Sequence, residues 1–315
     1  MSLPRIVPTP RLEFSRLFGV TWALYGRCFG PLLALGAVSA VVAGGTTLAV
    51  VWLYATPLLT ALVSFNPAGL ASGALLAATA AGLASMLVTV QCGALIAQLA
   101  VQVADGRPSD LRAAWRETTT VVPRLLLPCV VLSVATCLIG AAGLTVVLNT
   151  LRTVGMAART DRTAAMTTVL ALMGGLALAA AAAIAITWWL RVKLFLLLPA
   201  ASLEKLAGFA PVKRSWLLTP GSAGVVFGAL VVVSLVEGAV VGFGGQFASA
   251  LVTPSVSSGD FGGLVTLVSQ LMPPIAITTA VGATVTTFTW PFLTVMSTLV
   301  HRALTGYRLT PLMSA

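Results

Sequence analysis

Six long apolar runs constrain this chain more than any other feature of its sequence. They extend over Pro31–Ala55, Ser72–Ala104, Leu125–Asn149, Ala164–Leu190, Ala223–Gln246 and Pro274–Val300. A transmembrane helix needs about 20 mostly apolar residues to cross the hydrocarbon core. Only 8% of the residues are charged, too few to coat a soluble domain of 315 residues. The sequence predicts an all-α integral membrane protein of about six transmembrane helices, with residues 1–315 forming a single membrane domain.

The positive charges lie between the runs on alternate sides. Of the 18 Lys and Arg residues, four precede the first run, four follow the second, five follow the fourth and two follow the sixth. Basic residues accumulate in cytoplasmic loops. We therefore expect a multi-pass protein of the bacterial plasma membrane with both termini in the cytoplasm. The net charge of +10 is then explained by basic residues that determine membrane topology, and no nucleic acid is expected as a partner.

Three tryptophans predict a threefold internal repeat. Trp22, Trp115 and Trp216 each precede an apolar run, at spacings of 93 and 101 residues. The predicted unit is an interfacial amphipathic helix on the cytoplasmic side followed by a helical hairpin, with unit boundaries at 10–104, 105–204 and 205–304. The alternative is chance placement of Trp, which is enriched at membrane interfaces.

The middle copy shows the amphipathic pattern best, with Ser109 as the expected N-cap. The apolar face should carry Leu111, Ala114, Trp115, Thr118 and Val122, and the polar face should carry Asp110, Arg112, Arg116 and Glu117. Such a helix lies in the plane of the lipid headgroups. The three tryptophans and Arg214 are therefore candidate interfacial anchors.

Glu237 is the acidic residue that lies well inside an apolar run. A carboxylate near the bilayer centre costs about 2.5 kcal/mol or more, so it should face the helix bundle, a cavity or a partner, or be protonated. One interpretation is a carboxyl group that couples transport to a proton or cation. The other is a neutral acid that is hydrogen-bonded to a neighbouring helix.

Three glutamines form a stripe along the second run. Gln91, Gln98 and Gln102 recur at i, i+7 and i+11, which places them on one helical face. Such side chains usually join helices, at about 0.6 kcal/mol each. The alternative is the polar lining of a substrate path. With Glu237 they form the candidate intramembrane polar site.

Prolines and glycines mark two further features. Pro273 and Pro274 should interrupt the last run, because they remove two backbone donors, and Pro291 should kink it. On the fifth run, Gly224 with Gly228 and Gly238 with Gly242 have GxxxG spacing. This spacing predicts close helix packing.

The sequence offers no recognisable equipment for enzymatic chemistry. Cys28, Cys92, Cys129 and Cys137 form no CxxC pair, and His301 is the single histidine. Walker A and GxSxG motifs are absent from the sequence. We expect no catalytic residues, metal site or cofactor.

The stretch from Trp188 to Gly228 resembles the bacterial polytopic family named after the membrane domain of glycerophosphodiester phosphodiesterases. The corresponding residues are Glu204, Gly208, Arg214, Ser215, Trp216 and Leu218. The segments "FGVTWALYGRCFGPLL" and "DGRPSDLRAAWRE" are similar to that family too. Because the chain carries no recognisable catalytic domain, the resemblance implies a membrane-embedded accessory, sensor or transport-related protein.

These observations favour a non-catalytic membrane protein that binds or moves a lipid or another amphiphile, either alone or in a complex. Its partners would be membrane lipids and a membrane protein or a cytoplasmic ATPase. Three alternatives stay open: an assembly subunit of a larger membrane complex, a permease subunit of an ABC exporter, and an ion-coupled carrier that uses Glu237.

Overall fold

The structure of the protein is a computed structural model that describes residues 14–64, 73–135, 174–175, 178, 181–182, 185–250 and 261–305. Every regular element in these ranges is helical. The helices are α1 (Phe14–Arg27), α2 (Phe29–Ser64), α3 (Gly73–Ala104), α4 (Leu111–Thr118), α5 (Val121–Ala135), α6 (185–194), α7 (Leu197–Leu203), α8 (Ala210–Leu218), α9 (Ala223–Ala250) and α10 (Phe261–Leu304). A 3-10 turn, Thr219–Gly221, links α8 to α9.

Several of these helices are long and apolar enough to cross a membrane. Within the described ranges there are five such segments, or up to six if α4 and α5, which meet at 57°, count as one bent span. This confirms an all-α protein and is consistent with a multi-pass membrane protein. Residues 136–149 of the third predicted run and most of the fourth, together with Cys137, lie outside the described residues.

The long helix α10 is the centre of the bundle. It packs against α2, α9, α3 and α1, and its segment from Pro291 to His301 is almost entirely buried. Three aromatic rings of α1 pack against Phe292 on α10. The ring centroid of Phe292 is 5.2 Å from that of Phe18, 5.9 Å from that of Trp22 and 6.0 Å from that of Tyr25. The short helix α1 is thereby fixed to the side of the bundle.

A glycine and a proline allow α2 and α10 to approach closely. Pro291 has no N–H, so the carbonyl of Thr287, four residues earlier, lacks its helical donor. Gly36 on α2 lies against this carbonyl: a Cβ on Gly36 would stand 2.3 Å from the Thr287 oxygen and 2.7 Å from Pro291 Cγ. Only a residue without a side chain fits at this crossing.

The expected interruption at Pro273 and Pro274 is wrong. Helix α10 is continuous for 44 residues, with both prolines and Pro291 inside it. Prolines are tolerated in membrane helices where Ser and Thr hydroxyls and neighbouring helices stabilise the local backbone. The prolines leave the carbonyls of Ser269 and Gln270 without a helical donor. One turn later, Thr278 donates to the Pro274 carbonyl at 2.8 Å and Thr279 donates to the Ile275 carbonyl at 2.7 Å.

The described residues show no close helix approach at the GxxxG spacing on α9. A Cβ on Gly224, Gly238 or Gly242 would meet no described atom within 4 Å, and one on Gly228 would make only an ordinary contact with Phe14, at 3.9 Å. The close approach occurs at Gly244 instead, where a Cβ would lie 2.9 Å from Val281 of α10. Among the described residues, the helix that packs closely on α9 therefore does so at Gly244 and not at the GxxxG spacing.

The helix is interrupted between α6 and α7, and side chains of α8 and the following 3-10 turn hydrogen-bond to the backbone at this interruption. Pro199 cannot donate to the carbonyl of Phe195, and its ring opposes helix continuation there; a turn at residues 195–196 follows. The carbonyl of Lys193 at this break accepts the hydroxyl of Ser215 at 2.7 Å and that of Thr219 at 3.3 Å. Two hydroxyls one turn apart on α8 and its extension thus satisfy an acceptor left over by the break.

Candidate functional site

A charged cavity opens where α3, α7 and α10 end. Its volume is about 510 Å³. It is lined by Gln98, Val101, Asp105, Glu117, Ser202, Leu203, Glu204, Lys205, Arg214, His301, Arg302 and Thr305. We call this set the charged cavity. Helix α3 has no charged residue and is followed by Asp105, and α10 has basic residues only in its last turn. The cavity therefore adjoins a surface suited to lipid chains.

Glu204 connects three helices in the wall of the cavity. Its carboxylate accepts Nε of Arg214 at 2.9 and 3.0 Å and lies 2.9 Å from Nε2 of His301. Because a carboxylate can only accept, Nε2 carries the proton. The His301 side chain is 3% exposed, whereas Arg214 and Glu204 are 39% and 25% exposed. Glu204 therefore joins the end of α7 to both α8 and α10.

One buried atom in this cluster has no partner. Nδ1 of His301 is buried and makes no hydrogen bond to any described residue. With the proton on Nε2, Nδ1 of a neutral imidazole is an acceptor. Orphaned buried polar atoms are uncommon in folded proteins, so this nitrogen is a place where a ligand or a water molecule would be stabilised.

A second ion pair closes the other side of the cavity. Arg302 on α10 donates to Asp105, which directly follows α3, at 2.6 Å. Their side chains are 11% and 30% exposed. The last turn of α10 is thus bonded to α3 through Arg302 and to α7 through His301, and this brings three helix ends together around one volume.

Lys205 lies in the cavity wall with a strained backbone. Its φ is +56°, the one positive φ of a non-glycine residue in the part of the chain that the structure describes. It directly follows the C-cap of α7, a position that glycine usually occupies because a Cβ there costs about 1 kcal/mol. A lysine at this place retains a cation in the cavity at the expense of a more stable turn.

The glutamine stripe on α3 joins three different segments. Gln91 donates to Thr118 of α4 at 3.2 Å, Gln98 donates to the carbonyl of Ser202 on α7 at 3.4 Å, and Gln102 exchanges hydrogen bonds with the backbone of Asp110. Only Gln98 lines the charged cavity. The described contacts therefore favour the helix-joining interpretation for Gln91 and Gln102.

The N-cap of α4 is Asp110, so the expectation of Ser109 is wrong by one residue. The carboxylate of Asp110 accepts the backbone N–H groups of Arg112 and Ala113 at 2.9 and 3.2 Å. Gln102 also holds the Asp110 backbone, which sets where the helix begins. Ala114 and Thr118 are buried, whereas Leu111 and Trp115 of the same predicted face are 46% and 51% exposed.

The predicted anchors fall into two groups. Trp22 and Trp115 are exposed on the short helices α1 and α4, at 63% and 51%. Trp216 is 37% exposed and contacts Trp189 edge-on, with centroids 4.9 Å apart, and its ring lies 5.4 Å from Nζ of Lys193. Arg214, the fourth predicted anchor, instead forms an ion pair with Glu204 in the wall of the charged cavity.

Glu237 lies away from the charged cavity. It is half-buried on α9, and its carboxyl group is hydrogen-bonded to the hydroxyl of Thr289 on α10. Thr289 also reaches the carbonyl of Val285, at 3.2 Å. The carboxyl group thus faces the helix bundle and is bonded to a neighbouring helix, the arrangement of a structural interhelical contact.

Replacing Glu237 by glutamine should change little. The amide oxygen of Glu237→Gln can still accept the Thr289 hydroxyl, and interhelical hydrogen bonds in membranes average about 0.6 kcal/mol. We expect the thermal unfolding midpoint in detergent to stay within about 2 °C of the wild type. The matched variant Thr289→Val, which removes the donor, should lower the midpoint further; a large loss in Glu237→Gln alone would show that the ionised form is required.

Sequence reasoning missed most of the cavity. Glu204 was named only as part of the family resemblance. Asp105, Arg302, His301 and Lys205 were not predicted to be site residues. A signal existed: Asp105 and Glu204 each directly follow an apolar helix, and His301 and Arg302 end another. All three ends fall on the side that the basic residues predict to be cytoplasmic, so acidic and basic ends could have been paired.

The comparisons with known proteins identify no relative. No family model, curated protein or solved structure matches the chain. Among the described residues, no group of three His, Cys, Asp or Glu side chains could hold a metal ion. Cys28, Cys92 and Cys129 are buried and free.

Proposed function

We propose that this is a non-catalytic, multi-pass protein of the bacterial plasma membrane that binds or helps to move a lipid or another amphiphile. The observation that carries the proposal is the charged cavity, which lies at the ends of helices that are otherwise apolar. A ligand with a polar head and apolar chains would place its head in the cavity and its chains along the apolar helices. A soluble polar ligand could occupy the cavity but would make no use of the adjoining apolar helix surfaces.

The proposal includes an orientation. Asp105, Glu204 and Arg302 follow or end helices on the side rich in Lys and Arg, so the cavity would open at the cytoplasmic interface. We also propose that α1, α4 and α8 lie in the headgroup plane as three copies of one unit. The exposure of Trp22 and Trp115 on short helices beside the bundle supports this placement.

The family resemblance fits the same proposal. Its residues Glu204 and Arg214 form an ion pair in the cavity wall, and Ser215 repairs the break before α7. Two residues that carry the resemblance, Glu204 and Arg214, thus line the charged cavity. An accessory or transport-related role without a catalytic domain is what the resemblance implies.

Native mass spectrometry of the purified protein tests the proposal. We expect wild-type protein in mild detergent to retain lipid in stoichiometric amounts. Thr305→Trp places a large ring in the cavity at the end of α10 and should reduce the bound fraction at least fivefold. Val232→Trp is the matched control, because Val232 is 42% exposed on α9 and is not a lining residue of the cavity.

Two results would contradict the proposal. One is a wild-type protein that carries no lipid above the detergent background. The other is lipid retention by folded Thr305→Trp equal to that of Val232→Trp. Co-purification of an ATPase or another membrane protein in stoichiometric amounts would instead favour the exporter or assembly-subunit functions.

A further inference from the structure

The charged cavity contains equal numbers of acidic and basic side chains. Asp105, Glu117 and Glu204 carry the negative charges, and Lys205, Arg214 and Arg302 carry the positive ones. Placing a net charge in a partly enclosed site is unfavourable unless that charge is compensated. With a neutral His301, the site carries no net formal charge and is best matched by a ligand that also carries none.

Two of the six charges have no ion-pair partner. Asp105 is paired with Arg302, and Glu204 is paired with Arg214. Glu117 and Lys205 form no ion pair with any residue that the structure describes. Arg214 donates to Glu204 through Nε, and its terminal N–H groups form no hydrogen bond to the described residues. One acidic group and two basic donors are therefore available to a ligand.

We propose that the charged cavity recognises a zwitterionic headgroup consisting of a phosphodiester and a primary ammonium. Lys205 and the terminal N–H groups of Arg214 bind the phosphodiester, because guanidinium and ammonium groups are strong donors to phosphate. Glu117 accepts the ammonium. The inference rests on the proposed function and names the class of amphiphile.

The backbone of Lys205 gives independent support. A side chain at φ +56° is disfavoured relative to glycine, and such strain tends to occur at functional sites. Lys205→Gly should therefore relax the turn and raise the thermal midpoint. The same variant removes a phosphate ligand and should lower affinity about tenfold. A lysine with a merely structural role would not produce opposite changes in stability and binding.

The test uses the full-length protein in detergent with lipids that have identical short acyl chains. Binding of a phosphoethanolamine lipid is compared with that of a phosphoglycerol lipid, which lacks the ammonium. We expect wild type to prefer phosphoethanolamine about tenfold. Glu117→Gln should abolish the preference by weakening phosphoethanolamine binding alone, whereas Lys205→Gly should weaken both lipids similarly.

Free glycerophosphoethanolamine separates a lipid from a soluble source of this headgroup. We expect it to bind at least tenfold more weakly than the lipid, because it has no acyl chains. Equal or tighter binding of the phosphoglycerol lipid would overturn the headgroup inference and leave the proposed function standing. Failure of every lipid to bind would overturn both.

Discussion

Replacing Gly36 by leucine should destabilise the protein by about 3 kcal/mol or more. Even the first side-chain atom would stand 2.3 Å from the Thr287 carbonyl oxygen, so α2 and α10 would have to separate. Neither atom in the clash is the end of a flexible side chain, because one belongs to the backbone and the other to a proline ring. The measurement is the thermal unfolding midpoint in detergent, with Gly36→Ala as the graded variant.

Gly45 on the same helix provides the matched control. It is exposed, and a Cβ there would meet no described atom within 4 Å. Gly45→Ala should therefore be neutral or stabilise α2 by up to about 1 kcal/mol, which is the helix propensity gained when glycine is replaced. Equal midpoints for Gly36→Ala and Gly45→Ala would show that α2 and α10 do not cross at Gly36.

Replacing Glu204 by alanine should have the second largest effect, a loss of about 2–3 kcal/mol. The change leaves Nε2 of His301, which is buried, without an acceptor, and it releases Arg214. Part of the loss is recovered because Arg214 is 39% exposed and water can solvate it. Glu204→Gln keeps an acceptor oxygen and should lose roughly half as much.

Glu117 is the control for this prediction. It lines the same cavity and carries the same charge, but it has no ion pair among the described residues. Glu117→Ala should change the free energy of unfolding by less than about 0.5 kcal/mol. If Glu117→Ala and Glu204→Ala were equally destabilising, the loss would reflect cavity charge rather than the specific contacts of Glu204.

The sequence predicted the class of fold because membrane insertion depends on averages over long segments. Runs such as Ala223–Gln246 need only be apolar and about 20 residues long, and the structure has a helix there, Ala223–Ala250. The helix starts at Phe14, Leu111 and Ala210 also agree with short helices around Trp22, Trp115 and Trp216.

Features that depend on which helices meet could not be predicted in the same way. The GxxxG spacing is present on α9, yet α10 packs against this helix at Gly244. Pro273 and Pro274 oppose a helix locally, but α10 continues through them. The sequence places Asp105, Glu204 and His301 at helix ends on the same predicted side of the membrane, but they are far apart in the chain, and only the packing of α3, α7 and α10 determines that they converge.

The contact of α8 with the break before α7 has a consequence for synthesis. The Lys193 carbonyl meets its hydroxyl partners 22 and 26 residues later in the chain. While the ribosome is still making α8, this acceptor has neither a helical donor nor those hydroxyls, and it is best kept near water. The segment from α6 to α8 should therefore enter its final position as one unit, after Thr219 has emerged.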